Sequence, residues 1–266
     1  MNIDLYQVDA FASKPFEGNP AAVCPLETWL DDGLLQAIAT ENNLSETAFF
    51  VPTESGYQLR WFTPAVEVDL CGHATLAAAW VIFNMLGDSA ELLQFETRSG
   101  QLLVQRDGDE LAMDFPAKVV EPFTMEAEVK AALGINEIEE LLISDDIVVV
   151  VNDAQLIESL TPDMQQLKRL PGRGIVVTAK GRDVDVVSRW FGPKVGVEED
   201  PVTGSAHTSL APYWAKRLGK QKLTARQGGA RKGALSCEIE GDRVIIKGRV
   251  TPYLKGVITL PNTLTN

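Results

Sequence analysis

The longest apolar run of the chain, A-T-L-A-A-A-W-V-I-F at 74–83, predicts a helix that is buried on every side. It directly follows Gly72 and His73, and the helical pattern ends near Leu86. Because apolar side chains occur all round this helix, it belongs in the interior of a domain. A domain of roughly 120 residues can enclose such a helix only by wrapping a sheet round it. The run is too short to span a bilayer.

The same pattern occurs twice along the chain. R-W-F-T-P-A-V-E-V at 60–68 matches R-W-F-G-P-K-V-G-V at 189–197, and Gly204 opens a second helical segment as Gly72 opens the first. Such ordered matches indicate an internal duplication.

Matching polar segments predict turns between strands in both halves, R-D-G-D-E at 106–110 and I-E-G-D-R at 239–243. We therefore expect an α+β fold of two pseudo-symmetric domains, each a curved mixed sheet wrapped round a central helix. Two prolines near residues 116–124 place the predicted boundary between 1–118 and 119–266.

Composition and charge exclude several partners. The formal net charge is −13, which disfavours nucleic acid and anionic membranes because both require a basic face. The three cysteines are widely spaced and show no metal-ligand spacing, so no metal site is predicted. The odd cysteine count and the lack of a secretory signal favour a reducing, cytoplasmic location.

Each predicted glycine turn exposes the start of a helix. A helix N-terminus presents unpaired N–H groups and partial positive charge, which suit a carboxylate. We expect Gly72 and Gly204 to contact such a ligand. If a pseudo-two-fold axis brings the two helix starts together, one small acidic molecule would bind in a cleft between the domains.

Four segments together resemble the phenazine-biosynthesis PhzF-like family. They are D-A-F-A-S-K-P-F-E-G-N-P-A-A-V at 9–23, N-L-S-E-T-A-F at 43–49, C-G-H-A-T at 71–75 and E-D-P-V-T-G-S-A at 199–206. The resemblance covers essentially the whole chain and implies a fold like that of diaminopimelate epimerase. It also implies the family's activity, an isomerisation that moves a proton along a diene without metal or organic cofactor.

The resemblance implies roles for particular residues. Glu46 would transfer the proton, and His73 and Asp200 would assist it. Gly204 and Ser205 would hold the substrate carboxylate. We therefore predict a cofactor-independent isomerase of a small carboxylate, and family members commonly form homodimers.

Two alternatives remain open from the residues. An epimerase or racemase of an amino-acid-like acid would need a second base, and a two-thiol mechanism would need a partner for Cys71. Aligned on the preceding strands, Cys71 corresponds to Asp200, so we expect a packing role for the thiol. A non-catalytic small-molecule binding protein could also keep this fold.

Overall fold

The structure, a computed structural model, describes residues 1–261 of the chain. The helices are α1 (Asp32–Asn42), α2 (Gly72–Asn84), α3 (Glu126–Leu133), α4 (Ala154–Ser159), α5 (Met164–Leu167) and α6 (Gly204–Leu218), with a 3-10 helix at Pro193–Val195. The strands are β1 (Asn2–Ala10), β2 (Asn19–Pro25), β3 (Glu46–Pro52), β4 (Tyr57–Phe62), β5 (Glu67–Val68), β6 (Leu92–Thr97), β7 (Gly100–Asp107), β8 (Glu110–Pro116), β9 (Glu121–Pro122), β10 (Glu140–Ile143), β11 (Ile147–Val150), β12 (Ile175–Lys180), β13 (Val186–Gly192), β14 (Val197–Asp200), β15 (Lys222–Gln227), β16 (Gly233–Glu240), β17 (Arg243–Gly248) and β18 (Val250–Thr259).

The described chain divides into two compact units. The first comprises Met1–Asp114 and the residues from Lys247 onward, and the second is Phe115–Ile246. This differs from the predicted division at 118/119, which assigned everything after it to the second domain. The reason is that β18 returns to the first unit and pairs antiparallel with β1 along its length. Residues 262–266 of the predicted second domain lie outside the described residues.

In the first unit, a mixed sheet packs against α2. Strand β1 pairs antiparallel with β2, β2 runs parallel to β3, and β3 pairs antiparallel with β4. Strand β4 runs parallel to β6, and β6, β7 and β8 follow as antiparallel neighbours. Ten of the thirteen residues of α2 are buried, as its uniformly apolar sequence predicted.

The second unit repeats this order of strand pairing. Strand β11 runs parallel to β12, β12 pairs antiparallel with β13, and β13 runs parallel to β15. Helix α6 packs against β15 and β16. The predicted fold class, α+β with two similar halves on mixed sheets, is confirmed.

The predicted turns are also found. The segment 106–110 joins β7 to β8, and 239–243 joins β16 to β17. Over residues 1–261, no helix is both long enough and apolar enough to cross a membrane.

Candidate active site

The first unit brings Glu46 and His73 into contact. Glu46 is the first residue of β3, and His73 is the second residue of α2. His73 Nε2 lies 3.0 Å from Glu46 Oε2, with the two side chains 5% and 14% exposed. Within residues 1–261, neither atom has an aligned hydrogen-bond partner, although both are enclosed. Buried polar atoms that lie close together without forming hydrogen bonds to each other are typical of a ligand-binding site.

The other ring nitrogen of His73 is also enclosed by polar groups. Asn19 Nδ2 lies 3.1 Å from His73 Nδ1, and Cys71 Sγ lies 3.5 Å from the same nitrogen. Asn19 opens β2, and Cys71 directly precedes α2 as its N-terminal cap residue. The imidazole is therefore contacted from both of its nitrogens by three different segments of the first unit.

These neighbours act on the pKa of His73 in opposite directions. Burial lowers the pKa of the imidazole, while negative charge on Cys71 or Glu46 raises it well above its usual range. Burial also raises the pKa of the Cys71 thiol. The thiol therefore keeps its proton near neutral pH, and the charge that acts on His73 there is that of Glu46.

The same cluster has donors that a metal ion could bind. Glu46, Cys71 and His73 offer ligand atoms within 4.8 Å of one another. However, the ring nitrogen next to Cys71 also faces the amide nitrogen of Asn19, whose N–H occupies the lone pair that a metal would need. These residues fit a proton-transfer site better than a metal centre.

The second unit holds Asp200 in a fixed orientation. Asp200 ends β14, and its Oδ2 accepts a hydrogen bond of 2.6 Å from the Thr203 hydroxyl. Gln227 Nε2 in turn donates to Thr203 Oγ1 at 2.9 Å and to the Asp200 carbonyl oxygen at 3.0 Å. Because Thr203 Oγ1 accepts from Gln227, its own proton is directed at the carboxylate.

An arginine contacts the start of α6. Arg173 Nη1 donates to Ser205 Oγ at 3.0 Å, while its Nε and Nη2 donate to the two carboxylate oxygens of the buried Asp146. Burial lowers the pKa of the guanidinium, but the charges of Asp146 and Asp200 help to raise it, so Arg173 keeps its charge. A cation is thereby held beside the helix N-terminus.

The first N–H groups of α6 are not capped by a side chain of the preceding residue. Thr203, the N-terminal cap residue, makes no side-chain hydrogen bond to the helix backbone, because its hydroxyl is directed at Asp200. Gly204 and Ser205 are the first two residues of the helix. The backbone N–H donors at this end of the helix therefore lie next to the positive charge of Arg173.

The structural alignment of the two units corrects one prediction. Val68 pairs with Trp61 in the first unit, and Asp200 pairs with Trp190 in the second, so Asp200 is the counterpart of Val68 rather than of Cys71. Cys71 and Thr203 are equivalent instead, as the cap residues of α2 and α6. A register shift in the β13–β14 pair accommodates the extra residues of the second copy.

The second unit has no glutamate equivalent to Glu46, for a steric reason. The strand registers place Gly174 at the matching position, just before β12. A Cβ at Gly174 would lie 2.5 Å from Cζ2 of Trp190. The indole therefore occupies the space that a side chain would need, so the position that matches Glu46 in the second unit carries no carboxylate.

His207, the second histidine of the chain, is fully buried. Its Nδ1 lies 3.1 Å from the Thr203 carbonyl oxygen. Burial lowers the pKa of His207 to about 4, so it is neutral near pH 7. Such a buried, neutral ring suits a structural role.

The structure therefore groups the predicted residues into two local sets. Glu46 and His73 form one set with Cys71, while Asp200 and Ser205 both lie at the start of α6, which begins at Gly204.

Sequence reasoning missed Asn19, Arg173 and Asp146. Asn19 lies inside the F-E-G-N-P segment that carried the family resemblance, which was the available signal. The pairing of Arg173 with Asp146 spans 27 residues and left no pattern in the sequence.

Comparison with known proteins identifies the family. The family model described as phenazine biosynthesis-like protein matches residues 8–256. The chain belongs to this family. An uncharacterized isomerase of Pseudomonas aeruginosa is 61% identical over 260 residues, which cover 98% of this chain and all of that protein.

Solved structures agree with this family assignment. A phenazine biosynthesis protein of the PhzF family from Enterococcus faecalis superposes with a TM-score of 0.95 at 48% identity, covering 98% of this chain and 100% of that one. A hydroxyproline epimerase from Agrobacterium vitis superposes with a TM-score of 0.61 at 12% identity, covering 99% and 94% respectively. The second likeness shows that the fold is shared with epimerases.

Proposed function

We propose that this protein is a cofactor-independent isomerase that moves a proton within a small carboxylate substrate, with Glu46 as the acid–base group. The isomerase class follows from the family and from close relatives that carry that name. The assignment to Glu46 is carried by one observation. Its carboxylate lies 3.0 Å from His73 Nε2 in an enclosed position where neither atom has an aligned hydrogen-bond partner among the described residues.

The chemistry that fits this geometry is a proton shuttle. The Glu46 carboxylate takes a proton from one carbon of the substrate, and the C–H electron pair moves into the conjugated system. Glu46, now a carboxylic acid, returns the proton to a second carbon, where the displaced electron pair forms the new C–H bond. Atoms and charge balance without a redox partner, and a single carboxylate suffices for both steps.

His73 is the proposed assistant to Glu46. An N–H on Nε2, 3.0 Å from Glu46 Oε2, can donate to negative charge that develops on the substrate. The buried surroundings strengthen this interaction, because less water screens the charge.

For Gly204 and Ser205 we propose the binding of the substrate carboxylate. Two features of the second unit support this role. The N–H groups at the start of α6 are not capped by Thr203, and the guanidinium of Arg173 contacts Ser205 Oγ. Backbone donors together with a fixed cation form a favourable environment for a carboxylate.

Asp200 and Gly72 receive narrower roles in the proposal. Asp200 is held by the Thr203 hydroxyl, and we assign it an assisting catalytic role. Gly72 starts α2 directly before His73, so its N–H is the proposed substrate contact in the first unit.

The proposal extends to the cellular setting. Cys24, Cys71 and Cys237 are all buried and unbridged, which suits a reducing cytoplasm. We also propose a homodimer. Analytical ultracentrifugation that shows a single species of 29.0 kDa at micromolar concentration would contradict it.

Solvent deuterium exchange tests the proposed reaction. The protein is incubated in deuterated water with a panel of cyclic unsaturated acids and amino-acid-like acids, and the position of the label is read by NMR. An isomerase moves label to a new carbon, an epimerase labels one stereocentre, and a binding protein gives no label.

Two variants test the assignment to Glu46. Glu46→Gln keeps the size of the side chain but cannot accept the proton, so exchange should slow by about a hundredfold or more. Cys71→Ala is the matched control in the same cluster, and it should retain exchange. Rapid exchange by Glu46→Gln together with an inactive Cys71→Ala would favour a thiol mechanism instead.

A further inference from the structure

We infer that Asn19 is a positioning residue that holds the neutral form of His73 in one tautomer, with the ring proton on Nε2, the nitrogen that lies beside Glu46. The consequence for catalysis rests on the proposed function, whereas the tautomer itself is a property of the resting protein.

The contact between Asn19 and His73 determines the tautomer. Asn19 is fully buried, and its Nδ2 lies 3.1 Å from His73 Nδ1. An amide nitrogen carries only N–H donors, so Nδ1 must be the acceptor. A neutral imidazole that accepts at Nδ1 carries its proton on Nε2, the nitrogen that lies 3.0 Å from Glu46 Oε2.

Cys71 supports the same assignment. Its Sγ lies 3.5 Å from Nδ1, and burial keeps the thiol protonated. A thiol is a weak donor, so a second proton-bearing group faces the Nδ1 lone pair. Among the described residues, the titratable side chains that contact the ring are Cys71 and Glu46, and they lie at opposite nitrogens.

The backbone of the first unit fixes the position of Asn19. Gly18, directly before it, has φ of +65°, and a Cβ there would lie 2.1 Å from the Ala10 carbonyl oxygen. Asn19 then pairs with Ala10 in the β1–β2 ladder. The turn therefore requires glycine, and it delivers the amide of Asn19 to a ring that is 54 residues away in the chain.

This arrangement gives Glu46 and His73 different roles in the proposed reaction. Because Asn19 occupies the Nδ1 lone pair, the neutral ring donates through Nε2 and has no free acceptor nitrogen. His73 can then stabilise negative charge, and Glu46 is left as the group that accepts the substrate proton.

The chain contains its own reference for a test. His207 Nδ1 lies 3.1 Å from a carbonyl oxygen, which can only accept, so this second histidine carries its proton on Nδ1. The two histidines are therefore expected in opposite tautomers, and long-range proton–nitrogen correlation NMR of the histidine-labelled full chain distinguishes them. His73→Asn assigns the two patterns by removing one.

The wild-type spectrum, followed as the pH is raised until the His73 imidazole is neutral, is the decisive measurement, and it needs no substrate. The expected result is that neutral His73 carries its proton on Nε2 and that neutral His207 carries its proton on Nδ1. A neutral His73 with its proton on Nδ1 would overturn the inference.

Substitution of Asn19 tests the cause. In Asn19→Asp a carboxylate replaces the donor, so Nδ1 should hold its proton and His73 should stay doubly protonated to a clearly higher pH than in the wild type, with His207 unchanged. Asn84→Asp is the matched control, because Asn84 is exposed at the far end of α2, the helix that carries His73. A His73 pattern that is identical in Asn19→Asp and wild type would refute the role of Asn19. If Asn19→Asp does not fold, the wild-type spectrum still decides the tautomer.

Deuterium exchange separates this inference from the proposed function. Asn19→Asp should exchange substrate protons at least about tenfold more slowly than the wild type, while Asn84→Asp should exchange them at the wild-type rate. The expected tautomer in a protein without any exchange activity would contradict the isomerase and leave the tautomer assignment standing. Exchange by a protein whose neutral His73 carries the proton on Nδ1 would contradict the tautomer assignment and leave the proposed isomerase standing.

Discussion

The most informative stability prediction concerns Gly18, the residue that places Asn19. Gly18 adopts a left-handed backbone conformation, and any Cβ would lie 2.1 Å from the Ala10 carbonyl oxygen. Gly108 provides a matched comparison, because its φ of +62° is almost the same and a Cβ there would have no atom within 4 Å. Replacing each by alanine separates the conformational cost from the cost of the close approach.

The expected magnitudes follow from these two environments. An alanine in the left-handed region costs about 1–2 kcal/mol, and this is the whole cost expected for Gly108→Ala. Gly18→Ala adds a collision with backbone atoms of the β1–β2 ladder, which cannot rotate away as a side chain can. Overpacking of this kind costs about 1–3 kcal/mol more, which gives roughly 2–5 kcal/mol in all.

Urea unfolding of both variants measures the difference. Gly18→Ala should lower the unfolding midpoint clearly more than Gly108→Ala, and the His73 nitrogen signals should shift only in Gly18→Ala. Equal losses of stability would mean that the Ala10 carbonyl is not a constraint, and the account of how Asn19 is placed would be wrong.

Two other predictions concern the second unit. Burial holds the pKa of His207 near 4 in the folded chain, against about 6.5 when unfolded, so the unfolded chain binds an extra proton between these values. The free energy of unfolding should therefore fall by about 3 kcal/mol in total as the pH drops through this interval. The urea unfolding midpoint of His207→Leu should depend less steeply on pH than that of the wild type. An equal pH dependence in the two proteins would contradict this. Arg173→Gln should weaken acetate binding, followed through the Ser205 amide signal, by about tenfold, whereas the exposed Arg169→Gln should not. Matching titrations for the two arginine variants would exclude Arg173 from the anion site.

The sequence alone determined the main elements of the fold. The apolar run at 74–83 required a buried helix, because no face of it could remain in water. The ordered repeat indicated two similar halves, and the glycines at 72 and 204 marked where their central helices begin. These features are local or periodic, and side-chain chemistry is enough to interpret them. His73 stood out by its place next to the glycine that begins the buried helix, whereas Glu46 became a candidate only through the family resemblance, which also assigned both residues a reaction.

The tertiary structure decided which groups meet and in what orientation. Strand β18 joins the first unit because its partner is β1, almost the whole chain away in sequence. The amide of Asn19 reaches His73, and Asp146 holds Arg173 against Ser205, through contacts between residues that are 27 to 54 positions apart. Such pairs leave no periodicity in the sequence, because a hydrogen bond between distant residues depends only on how the chain brings them together. The tautomer of His73 is the clearest case, since the residue type allows either nitrogen to carry the proton and only the position of Asn19 distinguishes them.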